Sequence, residues 1–123
     1  MTLTRLVIVD DHPSFRAAAS ALLASDGFEV IGQATDGHSA IAAAGSAHPD
    51  VLLVDVGLPD VDGFSVAAEI TSWPEHPVVV LTSSREACDF GSLVESCGAL
   101  GFVPKSELSG AALRDVLEIV DAL

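Results

Sequence analysis

Val51-Leu52-Leu53-Val54-Asp55-Val56-Gly57-Leu58-Pro59-Asp60-Val61-Asp62-Gly63 sets the pattern for the whole chain. Its first four residues are apolar and β-branched at both ends, which suits a short strand buried on both faces. An acid closes the run, and Gly57, Pro59 and Gly63 punctuate a loop. Phe64, Ala67, Ala68 and Thr71 then fall at helical spacing. This unit of strand, polar strand end and helix recurs. Leu6-Val7-Ile8-Val9 leads into Asp10-Asp11, and Val78-Val79-Val80-Leu81 leads into Thr82-Ser83. Weaker strand patterns run from Phe28 to Ala34 and from Ala99 to Val103, the second leading into Pro104-Lys105.

Helical spacing fills the gaps between runs. Phe15, Ala18, Ala19, Leu22 and Leu23 share one face. Ala40, Ile41 and Ala44 mark a second helix, which Asp36 or Ser39 can cap. Ala87, Phe90, Val94 and Cys97 mark a fourth, ended by Gly98 and weakened by Gly91. Leu113, Val116, Leu117 and Val120 mark the last, started by Ser106 or Ser109. Strands alternating with helices imply right-handed crossovers and an α/β fold: a five-stranded parallel sheet, doubly wound as (βα)5, in one domain over residues 1–123.

The chain has 123 residues, enough for one domain. Its 18 acids against 5 bases give a net charge of −13, which argues against direct binding of a nucleic-acid backbone. No apolar run is long enough to span a membrane, and the N-terminus lacks the features of a signal peptide. A cytoplasmic location without membrane attachment is the expectation. Cys88 and Cys97 form no CxxC pair and are expected as small, buried or half-buried free thiols.

In doubly wound sheets, ligands bind outside the carboxyl ends of the strands. The residues there are Asp10-Asp11, Asp55, Thr82-Ser83 and Pro104-Lys105. Each alone has an ordinary explanation: a helix cap, a turn acid, a strand-end hydroxyl, a surface lysine. Together they form a set. Converging carboxylates repel, and a hard divalent cation relieves the conflict. A carboxylate nucleophile, a metal, a lysine and a hydroxyl suit phosphoryl transfer onto aspartate.

The run Leu6 to Asp11, the run Asp55 to Gly63, Val79-Val80-Leu81-Thr82-Ser83 and Gly101-Phe102-Val103-Pro104-Lys105 together resemble the receiver domains of two-component response regulators, with their flavodoxin-like fold. The run from Asp55 is the most specific, matching Asp-x-x-[Met/Leu]-Pro-x-x-[Asp/Asn]-Gly. The resemblance covers essentially the whole chain. It implies that Asp55 accepts a phosphoryl group from a sensor histidine kinase, and that the domain is a regulatory phosphoacceptor, not an enzyme with a separate substrate. It implies Mg2+ held by Asp10, Asp11, Asp55 and the backbone carbonyl of Gly57. Lys105 would pair with the phosphoryl oxygens. Thr82 would swing toward them, with Ser83 the second candidate, and Phe102 would follow inward. The surface of the fourth helix, fifth strand and fifth helix would switch, and a homodimer through that surface is compatible with the family.

Asp10-Asp11-His12-Pro13, with Phe15-Arg16, resembles receivers joined to LuxR-type helix-turn-helix domains. The expectation is the N-terminal part of a transcriptional regulator that reaches DNA only through an output domain outside this chain. A stand-alone or phosphorylation-independent interaction module is the alternative. His12 is expected to start the first helix in preference to binding metal. Three features depart from the family pattern. Gly57 replaces a common polar residue. Ser106 replaces a common proline, so a trans peptide is expected after Lys105. The gap from Thr82 to Lys105 is about one residue long, which points to an irregular start of the fourth helix. A dehalogenase-like phosphatase would need an acid at position 57, and a nucleotide-binding module would need a glycine-rich loop after the first strand.

Overall fold

The computed structural model describes residues 3–121. Five strands alternate with five helices: β1 (Arg5–Val9), α1 (Pro13–Ser25), β2 (Glu29–Ala34), α2 (Gly37–Ala47), β3 (Val51–Asp55), α3 (Gly63–Thr71), β4 (Val78–Ser83), α4 (Leu93–Ser96), β5 (Gly101–Pro104) and α5 (Gly110–Asp121). The strands form one parallel sheet in the order β2-β1-β3-β4-β5. The doubly wound expectation therefore holds.

Alternation along each strand divides the core into two halves. Leu6, Ile8, Leu53, Val80 and Val103 face Ala19 and Leu23 of α1 and Leu113 of α5. Val7, Val9, Leu52, Val54 and Leu81 face Ala40 and Ala44 of α2 and Val66, Ala67 and Ile70 of α3. The residues of β1 and β3 that lie in the sheet interior are almost wholly buried, as their unbroken apolar runs require. The side chain of Val120, assigned to the last helix's apolar face, lies outside the described ones, as does that of Ala87.

Helix starts follow local chemistry. Pro13 occupies the first turn of α1, where its missing N–H costs nothing. Asp36 caps α2 in a reciprocal box with Ser39, so both candidate residues take part. Asp62 caps α3 by accepting from the Ser65 N–H at 2.8 Å. Ser109, not Ser106, receives the Ala112 N–H at 3.0 Å.

The connection between β4 and β5 differs from a single helix over Ala87 to Cys97. Ala87–Phe90 forms a 3₁₀ turn, Gly91 follows at φ 58°, and α4 has only four residues. The apolar positions Phe90, Val94 and Cys97 still pack on the core. The interruption matches the helix cost of glycine. The peptide after Lys105 is trans, and a short 3₁₀ turn follows over Lys105–Glu107. Both cysteines are free thiols; Cys97 is buried as expected, but Cys88 is exposed because it sits in the 3₁₀ turn instead of on the packed face of a helix. Among the described residues, no helix is long and apolar enough to cross a membrane.

Register fixes the position of the strand ends. Val9, Val54, Leu81 and Phe102 form one row across four strands. The chain segments that follow them leave the sheet along one rim. At the far rim, Trp73, His48, Pro49, His76 and Pro77 line a cleft of about 380 Å³.

Candidate functional site

Asp10 ends β1 and is completely buried, and Asp55 ends β3 and is 5% exposed. Lys105, just past β5, places its ammonium 2.6 Å from Asp10 Oδ2 and 3.6 Å from Asp55 Oδ1. The same ammonium lies 4.4 Å from the centre of the Phe15 ring, which favours a cation there. Arg16 donates to the Asp10 carbonyl at 2.7 Å, tying α1 to the end of β1. Four strand-end residues drawn from the sequence therefore meet: Asp10, Asp11, Asp55 and Lys105.

Burial pushes the Asp55 carboxyl above its ordinary pKa, and the negative charge of Asp10 adds to the rise. Lys105 and the Gly57 N–H oppose it. A buried acid that resists ionisation beside other acids lacks positive charge.

One ligand atom from each of Asp10, Asp11, His12 and Asp55 lies within 4.8 Å of the others. Asp10 Oδ2 lies 2.6 Å from Lys105 Nζ and Asp11 Oδ1 3.1 Å from His12 Nδ1. Three carboxylates against so few nitrogen neighbours suit a hard cation that takes oxygen ligands. The donor set fits a divalent ion of the Mg2+ type. The cleft above Asp55, about 280 Å³, is lined by Gly57, Ser83, Ser84, Arg85, Phe90 and Lys105 as well. It is smaller than the cleft at the far rim, but among the described residues it borders the one group of acids close enough to share an ion.

The two hydroxyl candidates differ in orientation. Thr82 is wholly buried and donates to the Val103 carbonyl at 2.7 Å. Strand alternation turns it to the α1 and α5 face with Val80 and Val103. Ser83 points to the other face, lines the cleft, and accepts from the Arg85 N–H at 3.1 Å. Ser83 thus lines the cleft, while Thr82 pairs in register with Asp55 and shares its face of the sheet. Phe102 lies half-buried on the same face as Ser83, 5.9 Å ring to ring from Phe90.

Residues 6–118 match the response regulator receiver domain family. The chain belongs to that family.

The transcriptional activator EvgA of Escherichia coli K12 is 31% identical to this receiver over 94% of the chain. The transcriptional regulatory protein PdtaR of Mycobacterium tuberculosis is 31% identical over 91%. The chain spans 55% and 59% of these two proteins, a little over half of each. Among solved structures, the receiver domain of the response regulator NarL from Mycobacterium tuberculosis is 32% identical, with a TM-score of 0.84 over 94% of this chain and 98% of that one. A LuxR-family response regulator from Aurantimonas sp. SI85-9A1 is 26% identical, with a TM-score of 0.85 over 98% and 86%. As a receiver, the chain is a regulatory phosphoacceptor domain and not an enzyme in its own right.

Three contacts of the receiver's rim were not drawn from sequence. Asp60 accepts from the N–H groups of Gly37, His38 and Val61 at 2.8, 3.0 and 2.8 Å, pinning the loop after β3 to the start of α2. These bonds hold its carboxyl below the ordinary range. Arg85 lies 5.1 Å from the centre of the Phe90 ring and borders the cleft. His12 contacts both acids of the pair, with its Nδ1 2.9 Å from Asp10 and 3.1 Å from Asp11. All three depend on how loops meet in space; Asp60 reaches the start of α2 from 22 and 23 residues away.

Proposed function

We propose that Asp55 takes a phosphoryl group from a phosphohistidine of a sensor kinase. The observation that carries this reading is the convergence of Asp10, Asp55 and Lys105 at one rim. The carboxylate oxygen of Asp55 forms the bond to phosphorus as the phosphorus–nitrogen bond breaks and the imidazole leaves. Lys105 faces the charge that gathers on the phosphoryl oxygens. Asp10, Asp11, Asp55 and the Gly57 carbonyl would hold Mg2+, which when bound supplies charge neutralisation to the transfer.

A strand-end hydroxyl turns to the new phosphoryl oxygens: Thr82, paired in register with Asp55, or Ser83, which lines the cleft. Phe102, on the face of Ser83, follows inward. The new charge of about −1.5 to −2 thereby biases the surface of α4, β5 and α5. By analogy with the transcriptional regulators it resembles, the receiver controls a DNA-binding output domain.

Incubation with a small phosphodonor and Mg2+ tests the reading. The expected result is a mass gain of one phosphoryl group in wild type, absent in Asp55→Asn. No gain in wild type would favour a phosphorylation-independent interaction module.

A further inference from the structure

We propose that His12 is a further protein ligand of the cation site, so that the rim favours a divalent ion that accepts nitrogen, Mn2+ ahead of Mg2+. The proposal rests on reading that rim as a divalent-cation site. His12 occupies the cap position of α1, yet its side chain makes no capping bond. The side chain is also largely exposed, at 64%, so core packing does not explain where the ring sits. It turns back over the acids, with Nδ1 2.9 Å from Asp10 Oδ1 and 3.1 Å from Asp11 Oδ1. The His12 backbone N–H already donates to Asp10 Oδ1 at 2.8 Å. The ring's contact with that oxygen is therefore not needed to hold the carboxylate.

The size of the cluster fits one ion. Two ligand atoms on opposite sides of a cation, each about 2.1–2.2 Å away, are roughly 4.2–4.4 Å apart. The four side chains here already offer atoms within 4.8 Å of one another. A contraction of about half an ångström would bring all four into bonding range. Asp10 is fully buried with Oδ2 2.6 Å from Lys105 Nζ, so three carboxylates at this rim share Lys105 and His12 as their side-chain nitrogen neighbours. Facing two carboxylates, Nδ1 is placed as a donor; with the proton carried on Nε2 instead, the same Nδ1 would present its lone pair to a cation. Mg2+ prefers oxygen and retains water, whereas imidazole ligation favours transition ions, among which Mn2+ also accepts carboxylates readily.

Titration calorimetry with MnCl2 and with MgCl2, on wild type, His12→Ala and His12→Asn, tests the assignment, together with pulsed EPR of bound Mn2+. The expected results are a directly bonded nitrogen on Mn2+ in wild type, lost in both variants, and Mn2+ affinity lower by roughly 10-fold or more in both, while Mg2+ affinity changes less than about threefold. Full Mn2+ affinity in His12→Asn, which retains a hydrogen-bond donor, would make His12 a positioning residue and overturn the proposal. So would Mn2+ bound to wild type without a nitrogen signal. If wild type binds neither ion, the reading of the rim as a cation site falls as well. If it binds both and the variants match it, only the His12 assignment falls.

Discussion

The connection from β3 to β4 and the connection from β4 to β5 both leave the rim that carries the carboxylates, and they are built differently. The first contains α3, nine residues long, capped by Asp62 and burying Gly63, Val66, Ala67 and Ile70. Asp60 anchors its leading loop through three backbone N–H groups. The second has a 3₁₀ turn, a glycine and a four-residue helix with no buried residue. Leu93 in that helix is half exposed. Aromatic contacts are prominent in the second connection: Phe90 lies 5.3 Å from Phe64 and 5.9 Å from Phe102, ring to ring. An acceptor aspartate needs a fixed position, and a responding surface needs a low cost of rearrangement. On the proposed function, these needs fall to neighbouring connections.

The largest test of this contrast pairs two leucines. Leu52 is completely buried in β3, so Leu52→Ala is expected to cost about 2–5 kcal/mol in chemical denaturation. An equal cost for Leu93→Ala would erase the distinction between the two regions. Gly63→Ala comes next. A Cβ there would approach the Asp55 carbonyl oxygen to 2.5 Å and the Val56 Cα to 2.9 Å. Overpacking against backbone predicts a loss of about 1–3 kcal/mol, together with slower phosphorylation of Asp55 by a small phosphodonor.

Asp55→Asn should stabilise the metal-free domain by on the order of 1 kcal/mol at neutral pH, because it removes a buried charge among like charges. The folded-state pKa of Asp55 is raised, so its burial costs stability as pH climbs through and above the ordinary carboxylate value. Thermal melts without divalent ions should therefore show the Asn variant's advantage growing from pH 4 to pH 7. An advantage that shrinks over that range would contradict the raised pKa. Asp36 and Asp60 act with the opposite sign. Their lowered pKa values give stability that is present above the ordinary carboxylate pKa and is lost as pH falls through the folded-state values. The smallest effect belongs to Leu93→Ala, expected within about 0.5 kcal/mol of wild type.

Much of this arrangement was legible in sequence where a single physical rule governed the residue. Unbroken apolar runs identified β1, β3 and β4, because a strand covered on both faces has few positions for polar side chains. The acids and the lysine were legible because a parallel sheet delivers all its carboxyl ends to one rim. The hydroxyls show what register adds: Thr82 pairs with Asp55, while alternation turns the next residue, Ser83, to the cleft. The long gap between Thr82 and Lys105 pointed to the irregular fourth helix, which the structure shows as a 3₁₀ turn and a four-residue helix. The broken fourth helix was only half legible. Its apolar spacing was correct, but Gly91 interrupted a segment with little burial to hold it together. The contacts of Asp60 and His12 depend on how separate loops meet in space, which periodicity does not encode.

Trp73, the sole tryptophan, lines the far-rim cleft with His48 and Pro77, across the sheet from the acids. Its intrinsic fluorescence will therefore report loss of the fold while remaining largely blind to events at Asp55. Cys88, exposed in the 3₁₀ turn beside Phe90, offers a thiol for an attached fluorophore on the responsive side. One chain thus carries two optical reporters, one for unfolding and one for signalling.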